Sequence, residues 1–256
     1  MRDEAQIASA LHPLARMAHS LLISDLHLSA DRPEVFTSFS KFLGITASRS
    51  TALYILGDLF EYWAGDDDIH DPFNQQVVKA LATLNSSGVA IYLMHGNRDF
   101  LMGQALATAC GAQLLPDPSI IEMHGVPTLL MHGDTLCSDD TDYMAFRAQV
   151  REPAWQGQFL SQPLLQRKAQ IEKLQEQSRL AQSSKPPEIM DVNAAAVANV
   201  LRSHAYPRLI HGHTHRPALH VHEVDGHACE RWVLPDWYDQ GGYLRCDANG
   251  CEAVKL

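Results

Sequence analysis

Asp25 and His27 in S-D-L-H, Asp58 in G-D-L-F, Asn97 in G-N-R-D, His132 in H-G-D, and His213 and His215 in G-H-T-H are the residues of this chain best suited to chemistry. They offer imidazole nitrogens and oxygens and no thiolate, a donor set that suits Mn(II), Fe or Zn rather than a four-cysteine structural site. Seven groups exceed what one ion with an open position needs. Two ions about 3.5 to 4 Å apart, bridged by one carboxylate, would use them all and would make a hydrolase site. A lone D-x-H or G-D carries little weight. Five such motifs in order point to one site.

The elements that must position them are visible just upstream. Leu21-Leu22-Ile23, Ala52 to Leu56, Val89 to Met94, Thr128 to Met131 and Arg208-Leu209-Ile210 are short runs that end at the motifs. Apolar runs of that length bounded by Gly and Asp predict strands buried on both faces of an α/β fold. Ligands of open α/β sheets bind outside the carboxyl ends of the strands, so segments far apart in sequence should meet at one edge. Glycines beside Asp58, Asn97, His132 and His213 should allow the tight turns that aim these side chains inward.

The D-x-H, G-D, G-N, H and G-H-x-H series resembles that of the calcineurin-like metallophosphoesterases. The longer strings SDLHL, ALYILGDLFEYWAGDDD, HGNRDFLMG, LLMHGDTLCSDD and HGHTHRP are similar to those of the bacterial UDP-2,3-diacylglucosamine diphosphatases of lipid A biosynthesis, from about Leu21 to His220. That resemblance implies a four-layer α/β/β/α sandwich forming a single domain over residues 1–256. It also implies two divalent ions, usually Mn(II), with Asp25, His27 and His215 on one, Asn97, His132 and His213 on the other, and Asp58 bridging. Substrate contacts would fall on Asn97, Arg98, Asp140, Ser178, Gln182, Lys185 and His213, with Gln182 standing where some relatives have Asn. Asp58, Asn97, Arg98 and His213 would carry the catalysis. Water activated by the ions would attack the α-phosphorus and release UMP and 2,3-diacylglucosamine 1-phosphate. The resemblance further implies a peripheral enzyme at the cytoplasmic face of the inner membrane of a Gram-negative bacterium.

Arg98 sharpens this independently. Many calcineurin-like enzymes have His at this position, where it can protonate a leaving alkoxide; arginine stays charged and cannot. A phosphate leaving group is a weak base and needs no such help. Arg98 therefore favours diphosphate cleavage over hydrolysis of an alkyl phosphomonoester, its guanidinium fork binding phosphoryl oxygens.

Between H-G-D and G-H-T-H, residues 141–184 read as a helical insertion, rich in helix formers and punctuated by Pro153 and Pro163. Arg147 to Lys185 holds seven Lys or Arg against three Glu, interleaved with Phe146, Trp155, Phe159, Leu160, Leu164 and Leu165. A basic, amphipathic lid over the site, able to meet acyl chains or a membrane surface, is one reading; ordinary helix packing is the other. As a lid it should be separable, so that its excision spares metal binding. Asp191 to His204 reads as a core helix, and the tail from His220 as antiparallel strands with a turn at Asp239-Gln240-Gly241-Gly242. Asp66-Asp67-Asp68 reads as a solvated loop or helix cap. His95 and His211 read as supports for the neighbouring turns.

A net charge of −10 argues against a nonspecific nucleic-acid binder. No apolar stretch approaches the roughly 18 residues of a spanning helix, and the N-terminus does not resemble a secretion signal. Five scattered cysteines fit reduced thiols. The competing functions are another phosphoesterase acting on nucleotides, nucleic acid or phosphoprotein, and a noncatalytic module on the same fold. Seven intact ligands count against the module, and oligomeric state leaves no trace.

Overall fold

The computed structural model describes residues 18–184, 187–238 and 241–256. Strands β1 (Ser20–Ile23), β2 (Ala52–Leu56), β3 (Ala90–Met94) and β4 (Ala112–Leu115) run parallel in one sheet. A hairpin of β10 (Gly242–Asp247) and β11 (Gly250–Lys255) extends that sheet antiparallel to β1, giving the order β11-β10-β1-β2-β3-β4. The second sheet orders β5 (Ser119–Met123), β6 (Val126–Met131), β7 (Arg208–His211), β9 (His227–Val233) and β8 (Ala218–Val224), with β6, β7 and β9 parallel and antiparallel strands at both edges.

The continuous apolar runs are explained by where alternate residues go. Leu22, Leu56 and Met94 from the first sheet meet Leu130 and Ile210 from the second, forming the inter-sheet core. Their neighbours Leu21, Ile23, Leu53 and Ile55 point the other way, against Phe39 and Phe42 of α1 (Pro33–Ile45) and Val77, Leu81 and Leu84 of α2 (Pro72–Ser86). On the far side, Leu129, Met131 and Leu209 pack on Val197 and Leu201 of α7 (Ala194–Ser203). The result is an α/β/β/α sandwich in which strand residues on both faces are buried. Asp71 and Asn193 cap α2 and α7 by accepting the first free amides.

Parallel β1, β2 and β3 in one sheet and β6 and β7 in the other all end at one edge, where the five motifs lie. The region before α7 holds a short α3 (Gln104–Cys110) and, over residues 141–184, three helices: α4 (Thr141–Arg151), α5 (Pro153–Leu160) and α6 (Leu164–Ser184). Among the described residues no helix is long and apolar enough to cross a membrane. The expected turn at Asp239-Gln240 lies partly outside the described residues, though the antiparallel tail around it is present.

One expectation fails. Cys246 and Cys251 form a disulfide, while Cys110, Cys137 and Cys229 are free and buried. The pair stand directly opposite each other in the β10–β11 register, a proximity that comes from the hairpin and is not legible in spacing alone.

Candidate functional site

Six of the seven expected ligands share short distances. Oδ2 of Asp58 lies 3.7 Å from His27 Nε2 and 3.9 Å from His132 Nε2, midway between two groups of donors. On one side His215 Nε2 is 3.5 Å from Asp25 Oδ1. On the other, His132 Nε2 is 2.9 Å from Asn97 Oδ1, and the His213 ring centroid lies 5.0 Å from that of His132. Asp25, His27 and His215 form one group able to hold an ion, and Asp25, Asp58 and His132 another. Asn97 stands beside the second through its bond to His132.

The backbone is strained to build this. Asp25, His27, Asp58, His213 and His215 all have φ between 50° and 68°, a left-handed conformation that side-chain-bearing residues rarely adopt. Each costs on the order of 1 to 3 kcal/mol, and such strain concentrates at functional sites. The glycines matter by leaving space as much as by turning: a Cβ on Gly96 would strike the Asp58 carboxylate, and one on Gly212 the Asp25 carboxylate and Ser24 Oγ.

The donors are left ready for cations. Asp25 Oδ1 and both ring nitrogens of His27 are buried without a hydrogen-bond partner; for Asp25 Oδ1 and the unprotonated His27 nitrogen this costs free energy unless a cation takes up the lone pair. His132 Nδ1 is 2.9 Å from Leu56 O, which turns Nε2 into the site. Burial would push His132 down, but Asp58, Asp25 and Asp134 outweigh it and raise it to about 9. Burial and the neighbouring His132 push His213 down to about 4, so it is neutral near pH 7. Against burial, His215, His132 and His27 hold Asp25 well below the usual carboxylate range. The donor set therefore fits two divalent ions.

The calcineurin-like phosphoesterase profile matches residues 19–217, which contain every one of these groups. The chain belongs to that family. It is a metal-dependent hydrolase of the α/β/β/α class, and the family works with divalent metals. A relative from Aromatoleum aromaticum, named UDP-2,3-diacylglucosamine hydrolase, is 54% identical over 90% of this chain and 94% of its own. Proteins of the same name from Cellvibrio japonicus and Stenotrophomonas maltophilia are each 50% identical, over 91% and 90% of this chain and 96% of their own. Among solved structures, an archaeal phosphodiesterase aligns with 93% of this chain and 99% of its own at 14% identity and a TM-score of 0.47.

Beside these candidate ligands a cavity of about 540 Å³ opens, in the size range of small-molecule sites. Asn97, Arg98, Asp140, Ser178 and His213, all expected at the substrate, line it. Asp140 also accepts a hydrogen bond from Tyr143 N at 3.1 Å as the cap of α4. The Gln182 side chain and the whole of Lys185 lie outside the described residues.

Four of the seven basic residues of 147–185 are held by partners inside the molecule, so much of the basic surplus does not face outward. Arg147 Nε donates to Asp134 Oδ2 at 2.6 Å, and Tyr143 Oη donates to the same oxygen at 2.5 Å. Arg151 Nη2 donates to Gly96 O at 2.8 Å. On α6, Arg167 is buried against Ala64 O and the Asp67 carboxylate, and Lys168 Nζ is 2.6 Å from Asp68 Oδ1. Tyr143, Arg147 and Arg151 lie four residues apart on one helical face, and that face grips the H-G-D and G-N-R-D loops. Asp66, meanwhile, accepts the amides of Gly103, Ala105 and Leu106 at the start of α3. The three aspartates thus divide between a helix cap and anchors for α6.

Sequence reasoning missed several of these groups. Asp99, fully buried, accepts amides from Gly96, Asp58, Leu59 and Phe60 and so ties the G-D-L-F and G-N-R-D loops together. Asp134 and Glu61 were equally unassigned. Asp99 closes G-N-R-D and Asp134 closes H-G-D, a signal that could have marked them, and Glu61 directly follows G-D-L-F. His211 does support its turn: Nδ1 is 2.8 Å from Gly212 O, and Nε2 is 3.1 Å from Nη1 of buried Arg231. His95 likewise bonds Met102 O at 2.6 Å.

Proposed function

We propose that this chain hydrolyses the diphosphate of UDP-2,3-diacylglucosamine at the α-phosphorus, giving UMP and 2,3-diacylglucosamine 1-phosphate. The observation that carries the reading is the mixed lining of the cavity: it brings Asn97, Arg98 and His213 together with the apolar side chains of Phe100, Trp155, Phe159, Ile171 and Leu174. A substrate with a phosphoryl group joined to long apolar chains matches both kinds of lining. The names of the relatives support the same substrate.

Asp25, His27 and His215 would hold one ion, Asn97, His132 and His213 the other, and Asp58 both. Two divalent ions, Mn(II) in our reading, would supply a water of lowered pKa and neutralise phosphoryl charge. Arg98, only 18% exposed, binds phosphoryl oxygens and, being permanently charged, donates no proton to the leaving group. The departing sugar phosphate leaves without that help. The 141–184 insertion forms a lid that excludes water and takes up the acyl chains, so remote binding energy is used at the reacting centre. Leu165, 81% exposed, and Leu160, 40% exposed, lie on the outer part of this lid and support peripheral contact with the inner membrane at its cytoplasmic face.

Comparing kcat/KM for UDP-2,3-diacylglucosamine with that for UDP-glucose and for a generic aryl phosphodiester tests the reading. Strong preference for the lipid is expected. Equal turnover of UDP-glucose would show that the apolar walls do not select substrate.

A further inference from the structure

Glu61 stands three residues after Asp58, and its amide donates to Leu28 O at 3.0 Å, fixing it between the S-D-L-H and G-D-L-F loops. Its carboxylate faces three cations or potential cations. Oε2 lies 3.3 Å from His27 Nδ1 and 3.9 Å from Arg32 Nη2, and Oε1 lies 3.9 Å from Arg98 Nη1. From the other side, Gln175 Nε2 of α6 donates to Glu61 O at 3.0 Å and to Oε1 at 3.3 Å. One side chain therefore touches a metal donor, the phosphate-binding arginine and the insertion.

The two ring nitrogens of His27 have different surroundings. Nε2 faces Asp58 Oδ2 at 3.7 Å, and Nδ1 faces Glu61. A carboxylate beside Nδ1 favours the proton there and leaves the Nε2 lone pair for an ion, the way outer carboxylates orient metal-binding histidines.

We propose that Glu61 is a positioning residue that sets the His27 tautomer and, through Arg98 and Gln175, couples the metal centre to the insertion helix. This rests on the reading that His27 holds an ion.

Glu61→Gln in the full chain tests it, because the amide keeps the shape but removes the charge and offers His27 a donor. Nitrogen-detected NMR of the metal-free protein should show His27 as the Nδ1–H tautomer in the wild type and a mixture in the variant. Mn2+ affinity, by calorimetry, should fall about tenfold, within the usual effect of such outer partners. KM for the lipid substrate should rise as Arg98 is released, while the metal-free melting temperature stays unchanged. Gln175→Ala should raise KM alone. An unchanged His27 tautomer with unchanged Mn2+ affinity in Glu61→Gln would overturn the proposal, as would a loss that follows a lowered melting temperature. A wild-type protein that binds no Mn2+ would instead overturn the metal-centre reading itself, and this inference with it.

Discussion

Arg147→Ala should loosen the insertion from the metal centre, and its cost can be worked from the geometry. Asp134 is fully buried, and its Oδ2 takes hydrogen bonds from Arg147 Nε at 2.6 Å and Tyr143 Oη at 2.5 Å, while Oδ1 has no partner. Against burial, His132, His213 and Arg147 hold this carboxyl far below its ordinary range, so it is ionised and needs its cation. Removing one partner of a fully buried pair costs about 3 to 5 kcal/mol. Arg147 is 19% exposed and Tyr143 remains, so water and the phenol recover part of that, leaving about 2 to 3 kcal/mol. At about 2 to 4 °C per kcal/mol for a chain of this size, the metal-free protein should melt about 4 to 12 °C lower. Asp134 lies two residues from His132, so Mn2+ affinity should fall as well. Calorimetric melting of Arg147→Ala, Asp134→Asn and the double variant provides the assay, with a coupling of about 1.5 to 3 kcal/mol expected between the two sites. A melting temperature lowered by less than about 2 °C, a shift below 1 kcal/mol on the same scale, or strictly additive single changes, would refute the reasoning. By the same argument, excising 141–184 should weaken metal binding, since it removes Arg147 and the Arg151 hold on Gly96.

Asp58→Ala should fold yet bind fewer than two ions and lose turnover, because no carboxylate would remain between His27 and His132; near-wild-type turnover with two ions bound would contradict the bridging role. Arg98→Ala should lower kcat/KM on the lipid diphosphate by about 10- to 160-fold, the equivalent of roughly 1.5 to 3 kcal/mol for a charge-assisted contact. Arg98→His should restore this only in part while gaining relative activity on an alkyl phosphomonoester; equal effects on both substrates would make Arg98 a generic anchor. His132, raised to about 9 in the metal-free protein, must lose its proton to bind an ion, so uptake between pH 7 and 8 should release about one proton and affinity should climb until about pH 9. The same raised value means that its contribution to metal-free stability is full below the unfolded pKa near 6.5 and is lost as pH rises through about 9. Calorimetry in buffers of different ionisation enthalpy measures the release, and none in that window would contradict it.

What was legible in the sequence follows a physical division. Leu21-Leu22-Ile23 announced a strand buried on both faces because alternate residues had to meet different layers, and the structure sends Leu22 to the inter-sheet core and its neighbours to α1 and α2. That the motif residues would cluster was legible because few side chains can serve as metal donors and the fold brings strand ends together. Contacts between distant segments were not. Nothing in Arg167 or Lys168 shows that Asp67 and Asp68, about a hundred residues earlier, will neutralise them, so the insertion read as a basic surface when much of its charge is internal. Glu61 follows a motif as an unremarked acid, and only the approach of His27, Arg98 and Gln175 gives it a role. The Cys246–Cys251 bond likewise depends on register in the hairpin.

The most direct measurement is hydrolysis of UDP-2,3-diacylglucosamine by the Mn2+-loaded protein in 18O-water, with both products analysed by mass spectrometry. Attack at the α-phosphorus predicts UMP carrying one 18O and an unlabelled 2,3-diacylglucosamine 1-phosphate. No cleavage of this substrate, or label found in the lipid phosphate instead of UMP, would contradict the account.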